Sequence, residues 1–350
     1  MNRLSLYLSR LFLVRLATVA FGVVTLVSLL DSLGNSELLP EDAKLADRMH
    51  FAYLRLPIIF DSTFAIIIFL SVIVTYLSLI RRNEIVALLS MGLSVFAQLR
   101  ALAPCLFLVG TAGALIVSLT SPPAARSLTE WLGPKALMPQ VGDEQALWVS
   151  EPDVLVRIGD MSENALKDLT FFARSPNGQI TAVSRADKAL FQGDEWRLEN
   201  ARLVHSEQSG THAPETWGTR QTPESLFKLQ TYPRFLSMGD LLQLYSLRGS
   251  GSRPSSAYLV WIIDRLGMPF LAVGLLLLAM PLMQRAGRRD TGEIAAVMAL
   301  GLGFAYLIGD GIFTTLAESG VFNGWIGALG PLVTLYLAGV WLTLRTESVE

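Results

Sequence analysis

Residues 81–94 read RRNEIVALLSMGLS and stand between two long apolar runs, so their conformation decides how the flanking segments are arranged. Asn83 is a suitable N-cap, because its side-chain oxygen can accept from a backbone N–H that has no partner within the helix. Glu84 then lies in the first turn, where the positive end of the helix dipole favours a carboxylate. Ile85 and Leu88 have the spacing of one helical face. The stretch therefore predicts a short amphipathic helix.

The far end of this predicted helix is marked by Gly92, since glycine readily adopts the left-handed conformation that closes many helices. Two arginines, Arg81 and Arg82, precede the helix. One interpretation is that another protein holds the helix on this side of a membrane. The other is a plain turn whose arginines anchor it to lipid headgroups. The residues by themselves favour neither interpretation.

The composition is that of a membrane protein. Apolar residues are 51% of the 350 residues and charged residues only 17%. The apolar residues are concentrated in runs of about twenty, the length that crosses roughly 30 Å of hydrocarbon. We therefore expect an α-helical polytopic membrane protein with six transmembrane helices, at about 16–33, 56–80, 96–119, 257–283, 294–314 and 324–344. Residues 1–15 predict an amphipathic segment in the membrane interface. The net charge of −2 gives no indication of nucleic-acid binding.

Basic residues determine the predicted orientation. Arginines are concentrated at one side of the spans, whereas the short loops opposite contain only Lys44, Arg48 and Arg55. Cytoplasmic loops carry the excess of lysine and arginine, so both termini and residues 81–94 are expected in the cytoplasm. The long segment between the third and fourth spans then faces outward.

That outward segment predicts an inserted all-β domain, a sandwich or jelly roll. Short β-prone runs alternate with turn signals such as Asn177-Gly178, which favours a tight hairpin. Residues 206–225 predict a long loop, 238–247 a helix and 248–256 a flexible linker. The seven predicted strands are 146–149, 154–158, 169–173, 180–183, 188–191, 196–198 and 201–205.

Three segments follow from these elements. Residues 1–120 are expected to contain the first three transmembrane helices, with the short cytoplasmic helix at 82–92. Residues 121–253 are expected to form the β domain with its trailing helix and linker. Residues 254–350 are expected to contain the last three transmembrane helices.

Motifs of catalysis and metal binding are absent from the sequence. There is no G-x-x-x-x-G-K-[ST] phosphate loop and no H-E-x-x-H, and the three histidines are scattered. The single cysteine, Cys105, lies in an apolar run and supports neither a disulfide framework nor a thiolate site. We therefore expect no catalytic residue, metal or cofactor in this chain. A membrane-embedded hydrolase that pairs Asp61 with Asp310 is an alternative without a motif behind it.

Ionisable residues occur in the outer third of several predicted spans. Charge within a membrane is costly, so such residues usually face a cavity or one another. In a structural interpretation they reach the interface from near the helix ends, and Arg265 pairs with an aspartate. In a functional interpretation a cavity opens in the outer leaflet, and its rim places Arg55 and Arg265 opposite headgroup phosphates. The residues concerned are Asp31, Asp61, Asp264, Arg265 and Asp310.

Glycines in the fifth predicted span have a more ordinary interpretation. The sequences Gly301-Leu302-Gly303 and Gly309-Asp310-Gly311 are spaced unlike a nucleotide-binding turn. Within a membrane span, glycine more often permits close packing of helices. We therefore expect these glycines at helix contacts.

With these parts in order, the sequence resembles the LptF/LptG permeases of lipopolysaccharide export. The resemblance covers essentially the whole chain, and the order of the parts is more specific than any single motif. The closing run and Leu147-Trp148 favour the G-type subunit. The residues that carry the resemblance are 82–92 (RNEIVALLSMG), 147–149 (LWV) and 327–331 (GALGP).

The resemblance implies a non-catalytic permease subunit of an ABC transporter that extracts lipopolysaccharide from the outer leaflet of the inner membrane. It implies a second, LptF-like permease and a dimer of a cytoplasmic ABC ATPase, which would hold the ATP and magnesium. The β insert would be a periplasmic jelly roll that passes lipopolysaccharide to an LptC-like single-span protein and an LptA-like periplasmic bridge.

The resemblance also assigns residues. Glu84 matches the glutamate of the family's coupling helix, which docks in a groove of the ATPase. G-type members often carry a lysine one helical turn before the acid that Asp31 matches, but Ser28 stands there in this chain, so Arg265 or Arg55 is expected to replace it. The residues expected to couple to the ATPase are Arg81, Arg82, Glu84, Leu88 and Met91. Those expected to contact substrate are Asp31, Arg55, Arg265 and Asp310.

Three other functions stay open at this point. A subunit of a different ABC exporter, acting on lipoproteins or peptides, would usually have four spans around a larger outward domain. A membrane-embedded enzyme would act on lipid without ATP or partners. A stand-alone structural adaptor is disfavoured by the charged residues within the spans.

Overall fold

The computed structural model describes residues 3–39, 43–133, 137, 146–151, 153–162, 165–175, 177, 179–193, 195–206, 213–219, 221–246, 253–287 and 292–347. The chain forms two compact units. The first comprises Met1–Leu137, Val260–Ala317 and Val321–Glu350, and the second comprises Met138–Leu259 and Glu318–Gly320.

The helices follow the apolar runs closely. In chain order they are α1 (Arg3–Gly34), α2 (Leu45–Arg81), α3 (Glu84–Ser90), α4 (Val95–Leu132), α5 (Pro223–Gln230), α6 (Met238–Ser246), α7 (Ser255–Gly287), α8 (Gly292–Glu318) and α9 (Gly324–Glu347). In the described part of the chain, six of them are long and apolar enough to cross a membrane, namely α1, α2, α4, α7, α8 and α9. The prediction of six transmembrane helices with an inserted β domain is confirmed.

The start of the chain differs from its prediction. The described part of the segment at 1–15 is the first half of α1 and continues without a break into the span. Leu8 and Phe12 are fully buried in the core of the helical unit, and the Ser5 hydroxyl donates to the Ala101 carbonyl at 2.6 Å. The apolar face of this segment packs on neighbouring helices, so it forms no separate interfacial element.

Two glycines permit close contacts between helices of the first unit. A Cβ added to Gly110 of α4 would lie 2.5 Å from the backbone Cα of Pro269 in α7. A Cβ added to Gly303 of α8 would overlap the ring of Phe69 in α2. Small residues bring transmembrane backbones close, which strengthens dispersion contacts where no hydrophobic driving force acts. The prediction is thus confirmed for Gly303, whereas Gly301, Gly309 and Gly311 face open space.

The second unit contains an antiparallel sheet of seven strands. They are β1 (Leu147–Ser150), β2 (Val154–Ser162), β3 (Ala165–Arg174), β4 (Ile180–Gln192), β5 (Glu195–Glu199), β6 (Arg202–Ser206) and β7 (Thr216–Trp217). Successive strands pair from β1 to β5, and β7 joins β5. Two strands share one edge of β4: β6 pairs with the first half of β4, and β5 pairs with the last residues of β4. The core of this sheet includes Trp196, whose indole N–H donates to the Gln221 carbonyl at 2.8 Å.

Strand β4 corrects the sequence prediction. The runs at 180–183 and 188–191 were predicted as separate strands, but the structure has one strand of 13 residues. The buried Ser184 and Ala186 alternate with the exposed Arg185 and Asp187, so the alternation of a half-buried strand continues through the polar residues. Charged residues on the exposed face do not end a strand.

The loop predicted at 206–225 is also interrupted by structure. Its described residues include β7 and the beginning of α5, whereas 207–212 lie outside the described residues. The helix predicted at 238–247 is confirmed as α6. Strands β3 and β4 pair as a hairpin around Asn177, and Gly178 lies outside the described residues. Most of the predicted linker at 248–256 also lies outside the described residues.

The close contact at Gly110 leads to a stability prediction. Gly110→Ala should lower the free energy of unfolding by about 1–3 kcal/mol, because the added methyl group meets backbone that cannot rotate away. The matched control is Gly301→Ala, whose methyl group would meet nothing within 4 Å. The thermal midpoint of the detergent-solubilised protein should fall for the first variant only. Equal midpoints would show that the α4–α7 contact is looser than described.

Candidate functional site

The short helix α3 is joined to α2 by a tight turn. Asn83 has a left-handed backbone with φ 57° and ψ 15°, and its side chain makes no capping bond, so its predicted capping role is wrong. The Asn83 N–H instead donates to the Ile80 carbonyl at 2.9 Å, while its own carbonyl accepts from Ala87 at 3.2 Å. Asparagine tolerates this backbone better than most residues, which explains its use between two helices.

The other end of α3 is closed as the sequence predicts. Gly92 has a φ of +76°, and its N–H donates to the Leu89 carbonyl at 2.9 Å. The N–H of Leu93 donates to the Leu88 carbonyl at 3.2 Å, which completes a Schellman motif. Ser94 then caps α4, its hydroxyl accepting from Ala97 at 3.2 Å. The helix is thus held between α2 and α4 by short, well-bonded turns.

The two faces of α3 differ in exposure. Ile85 is fully buried and Leu88 is only 7% exposed, so both pack into the helical unit. Leu88, which was assigned to the ATPase contact, is therefore not on the outer face of α3. Val86 of α3 and Met91, the residue that follows α3, are exposed apolar residues. Val86 was missed because it lies outside the apolar spacing that marks the helix as amphipathic.

Contacts around Glu84 bring distant parts of the chain together. The Tyr7 hydroxyl of α1 donates to Oε2 of Glu84 at 2.5 Å. Nη1 of Arg82 lies 4.0 Å from Oε1 of the same carboxylate. Nη2 of Arg81 lies 3.2 Å from Oε1 of Glu293 in α8, in an ion pair that is exposed on both sides. These contacts place the ends of α1, α2, α3 and α8 beside one another.

Sequence reasoning missed Tyr7 and Glu293 at this site. Tyr7 is 77 positions from Glu84, and Glu293 is 212 positions from Arg81. Neither residue belongs to a motif, and no spacing rule connects positions so far apart. Only the folding of α1 and α8 against the rest of the helical unit places them there.

A second group of polar residues lies at the opposite ends of α1 and α2. The guanidinium group of Arg55 binds both carboxylate oxygens of Asp31, with 2.7 Å between Nε and Oδ2. Asn35 donates to Oδ1 of Asp31 at 3.0 Å, and the Phe51 ring lies 5.7 Å from the guanidinium carbon. The two charged side chains are 10% and 16% exposed. This is a bidentate, largely buried ion pair between neighbouring helices.

The four predicted substrate residues are therefore not equivalent. The structure brings Asp31 and Arg55 together, and it engages the Arg55 guanidinium with Asp31 instead of presenting it to a ligand. Arg265 lies on α7 and is 3% exposed, while Asp310 lies half-buried on α8. Contact between these residues and a lipid phosphate stays a prediction. Among the described residues, no group of three or more His, Cys, Asp or Glu side chains could hold a metal ion.

Comparison with known proteins identifies the family of this chain. The family model for "Lipopolysaccharide export system permease LptF/LptG" matches residues 6–345. Curated relatives include the lipopolysaccharide export system permease protein LptG of Escherichia coli strain K12 and of E. coli O6:H1 strain CFT073. Each is 24% identical over 210 residues. The alignment spans 58% of this chain and 58% of the length of each relative.

The Asp31–Arg55 pair leads to a prediction of non-additive stability. Asp31→Asn or Arg55→Gln alone should cost about 3 kcal/mol in the free energy of unfolding, because each leaves a charge buried without its partner. The double variant should cost less than the sum of the single variants by about 1–3 kcal/mol. Unfolding of the detergent-solubilised chain measures all three values.

The exposed Arg81–Glu293 pair supplies the control for this cycle. Arg81→Gln should change the free energy of unfolding by less than about 1 kcal/mol, since exposed ion pairs contribute little. Additive costs for Asp31→Asn and Arg55→Gln would mean that the two side chains do not depend on each other.

Proposed function

We propose that this chain, which belongs to the lipopolysaccharide export system permease LptF/LptG family, is the non-catalytic membrane subunit of an ATP-driven lipopolysaccharide transporter. The match of the family model to nearly the whole chain carries this proposal. The six apolar helices agree with a multi-pass protein of the inner membrane. The names of the two E. coli relatives favour the G-type subunit. An exporter subunit of the four-span kind is disfavoured by the number of spans in the described residues.

In this proposal a separate ATPase dimer hydrolyses ATP with magnesium, and α3 is the coupling helix on which the ATPase acts. The surface around α3 offers the partly exposed Glu84 and the exposed Val86 and Met91 to a protein groove. Arg81 and Arg82 precede them in the chain and are exposed. An apolar contact with charged residues at its rim is typical of protein interfaces. This supports docking in preference to a turn that only anchors the chain to lipid.

The attachment of α3 supports a mechanical role. Its buried residues Ile85 and Leu88 pack into the helical unit, and its ends lead directly into α2 and α4. One turn into α4, the Gln98 side chain accepts from the Gln284 amide of α7 at 2.9 Å, and both side chains are fully buried. A displacement of α3 would therefore reach α2, α4 and α7 through short covalent and hydrogen-bonded connections.

The orientation in the membrane is part of the proposal. Arg81, Arg82 and the contact between Tyr7 and Glu84 lie together at one end of the helices, and the excess of arginine there favours the cytoplasm. Both termini would then be cytoplasmic and the β domain periplasmic. The sheet would pass lipopolysaccharide to an LptC-like protein and an LptA-like bridge.

The outer half of α1 supports a partner within the membrane. Phe21, Leu26, Leu29, Leu30 and Leu33 are all exposed on it, whereas the buried residues of α1 lie in its first third. In the membrane these side chains would meet lipid, the acyl chains of the substrate or a second, LptF-like permease. We propose the last two, because the family comprises two kinds of permease, LptF and LptG.

Substrate binding would involve the polar groups at the same end of the helices. Arg55 is engaged by Asp31, so a lipid phosphate would bind Arg55 only by competing with that carboxylate. A guanidinium group binds phosphate and carboxylate in the same bidentate geometry, which makes such an exchange feasible. Arg265 and Asp310 are the further proposed contacts, on α7 and α8.

Glu84→Ala provides the test of coupling. When the tagged chain is purified from its native membrane, an ATPase and a second six-span permease should accompany the wild type. The variant should lose at least about nine-tenths of the ATPase, since a buried charged contact at an interface contributes more than 2 kcal/mol. The amount of ATPase per tagged chain is measured by quantitative mass spectrometry.

Glu130→Ala is the matched control, because Glu130 is an exposed carboxylate near the other end of α4. It should keep its ATPase, and both variants should keep the second permease. If the wild-type chain purifies without an ATPase, or if the Glu84→Ala variant retains as much ATPase as the wild type, α3 is a turn and not a coupling helix.

A further inference from the structure

We infer that Tyr7 is a positioning residue for Glu84, holding its carboxylate in the orientation that the ATPase binds. This inference rests on the proposed function, since it assumes that Glu84 docks against the ATPase. The inference goes beyond the proposed function because it assigns a role in coupling to the first turns of α1, which contain no recognised motif.

The hydrogen bond between the two residues joins a hydroxyl donor to a carboxylate oxygen. The Tyr7 hydroxyl lies 2.5 Å from Oε2 of Glu84, within the range for an O–H donor and an ionised carboxylate. Oε1 lies 4.0 Å from Nη1 of Arg82, beyond hydrogen-bond distance. A carboxylate oxygen accepts more than one hydrogen bond, and the Glu84 side chain is 30% exposed. Tyr7 therefore orients the carboxylate and leaves Oε1 accessible to a partner.

The backbone that carries Tyr7 is firmly placed. Leu8 and Phe12 follow it on α1 and are fully buried in the core of the helical unit. The Ser5 hydroxyl donates to the Ala101 carbonyl of α4 at 2.6 Å. A donor on such a rigid support restricts the rotamers of Glu84, which is otherwise a flexible side chain on the surface.

Restricting Glu84 in advance would improve docking. A long side chain that becomes fixed on binding loses conformational freedom, and a group that is already oriented loses less. Tyr7 is 44% exposed, so its hydroxyl can be removed without opening a cavity in the core. Tyr7→Phe should therefore affect docking and leave the stability of the fold unchanged.

The experiment titrates the ATPase that accompanies the wild-type chain onto the permease complex freed of ATPase. Tyr7→Phe should raise the Kd by about two- to tenfold. In the Glu84→Ala background the same substitution should change the Kd no further, because its effect passes through Glu84. Tyr53→Phe, at an exposed tyrosine on α2, is the control and should bind as the wild type does. Thermal midpoints should agree for all the tyrosine variants.

The outcomes separate the inference from the function on which it rests. If Glu84→Ala weakens binding and Tyr7→Phe does not, the positioning role of Tyr7 is overturned and the coupling helix stands. An equal effect of Tyr7→Phe with and without Glu84 also overturns the positioning role, since Tyr7 would then act by another route. If Glu84→Ala leaves binding unchanged, both the coupling role of α3 and the role of Tyr7 are overturned.

Discussion

Two left-handed residues, Asn83 and Gly92, constrain the region on which the proposed function depends. They bracket α3, so the chain leaves α2, forms about two turns of helix and enters α4 with its backbone groups bonded at each junction. The rest follows from this constraint: Ile85 and Leu88 are directed into the helical unit, and Glu84 is placed beside α1. A longer or looser connection would leave α3 free to move without its neighbours.

Polar contacts join the first helix to α2 and α3 at points along its length. Tyr7 binds Glu84 near one end, Arg15 donates to the Ser78 hydroxyl at 3.2 Å, and Asp31 binds Arg55 near the other end. Its buried apolar residues all lie in the first third. The outer half of α1 contributes half-buried residues such as Val23, Val24 and Val27, together with the largely buried pair of Asp31 and Arg55. Such an arrangement suits a helix that must stay attached while its apolar face contacts lipid, substrate or a partner.

Local patterns predicted much of the fold. The six predicted apolar runs form six long helices, and Gly92 ends α3 as predicted. Both predictions succeed because hydrophobicity and the left-handed backbone preference of glycine depend on only a few neighbouring residues. Two of the failures were at polar positions. The sequence predicts two strands separated around Arg185 and Asp187, but these residues belong to the exposed face of the single strand β4. It also predicts a side-chain cap at Asn83, whereas Asn83 contributes through its left-handed backbone. A charged or amide residue can end an element or lie within it, and the residues that surround it in space determine which of the two occurs.

The sequence by itself determined the class of this protein: a helical membrane protein with an inserted β domain, in which a short amphipathic helix bearing Glu84 follows the second span. These properties depend on composition, periodicity and residues adjacent in the chain. Only the tertiary structure decided that Tyr7 binds Glu84 and that Arg55 is engaged by Asp31. Each of these depends on which helices lie side by side, and that packing joins residues between 24 and 77 positions apart.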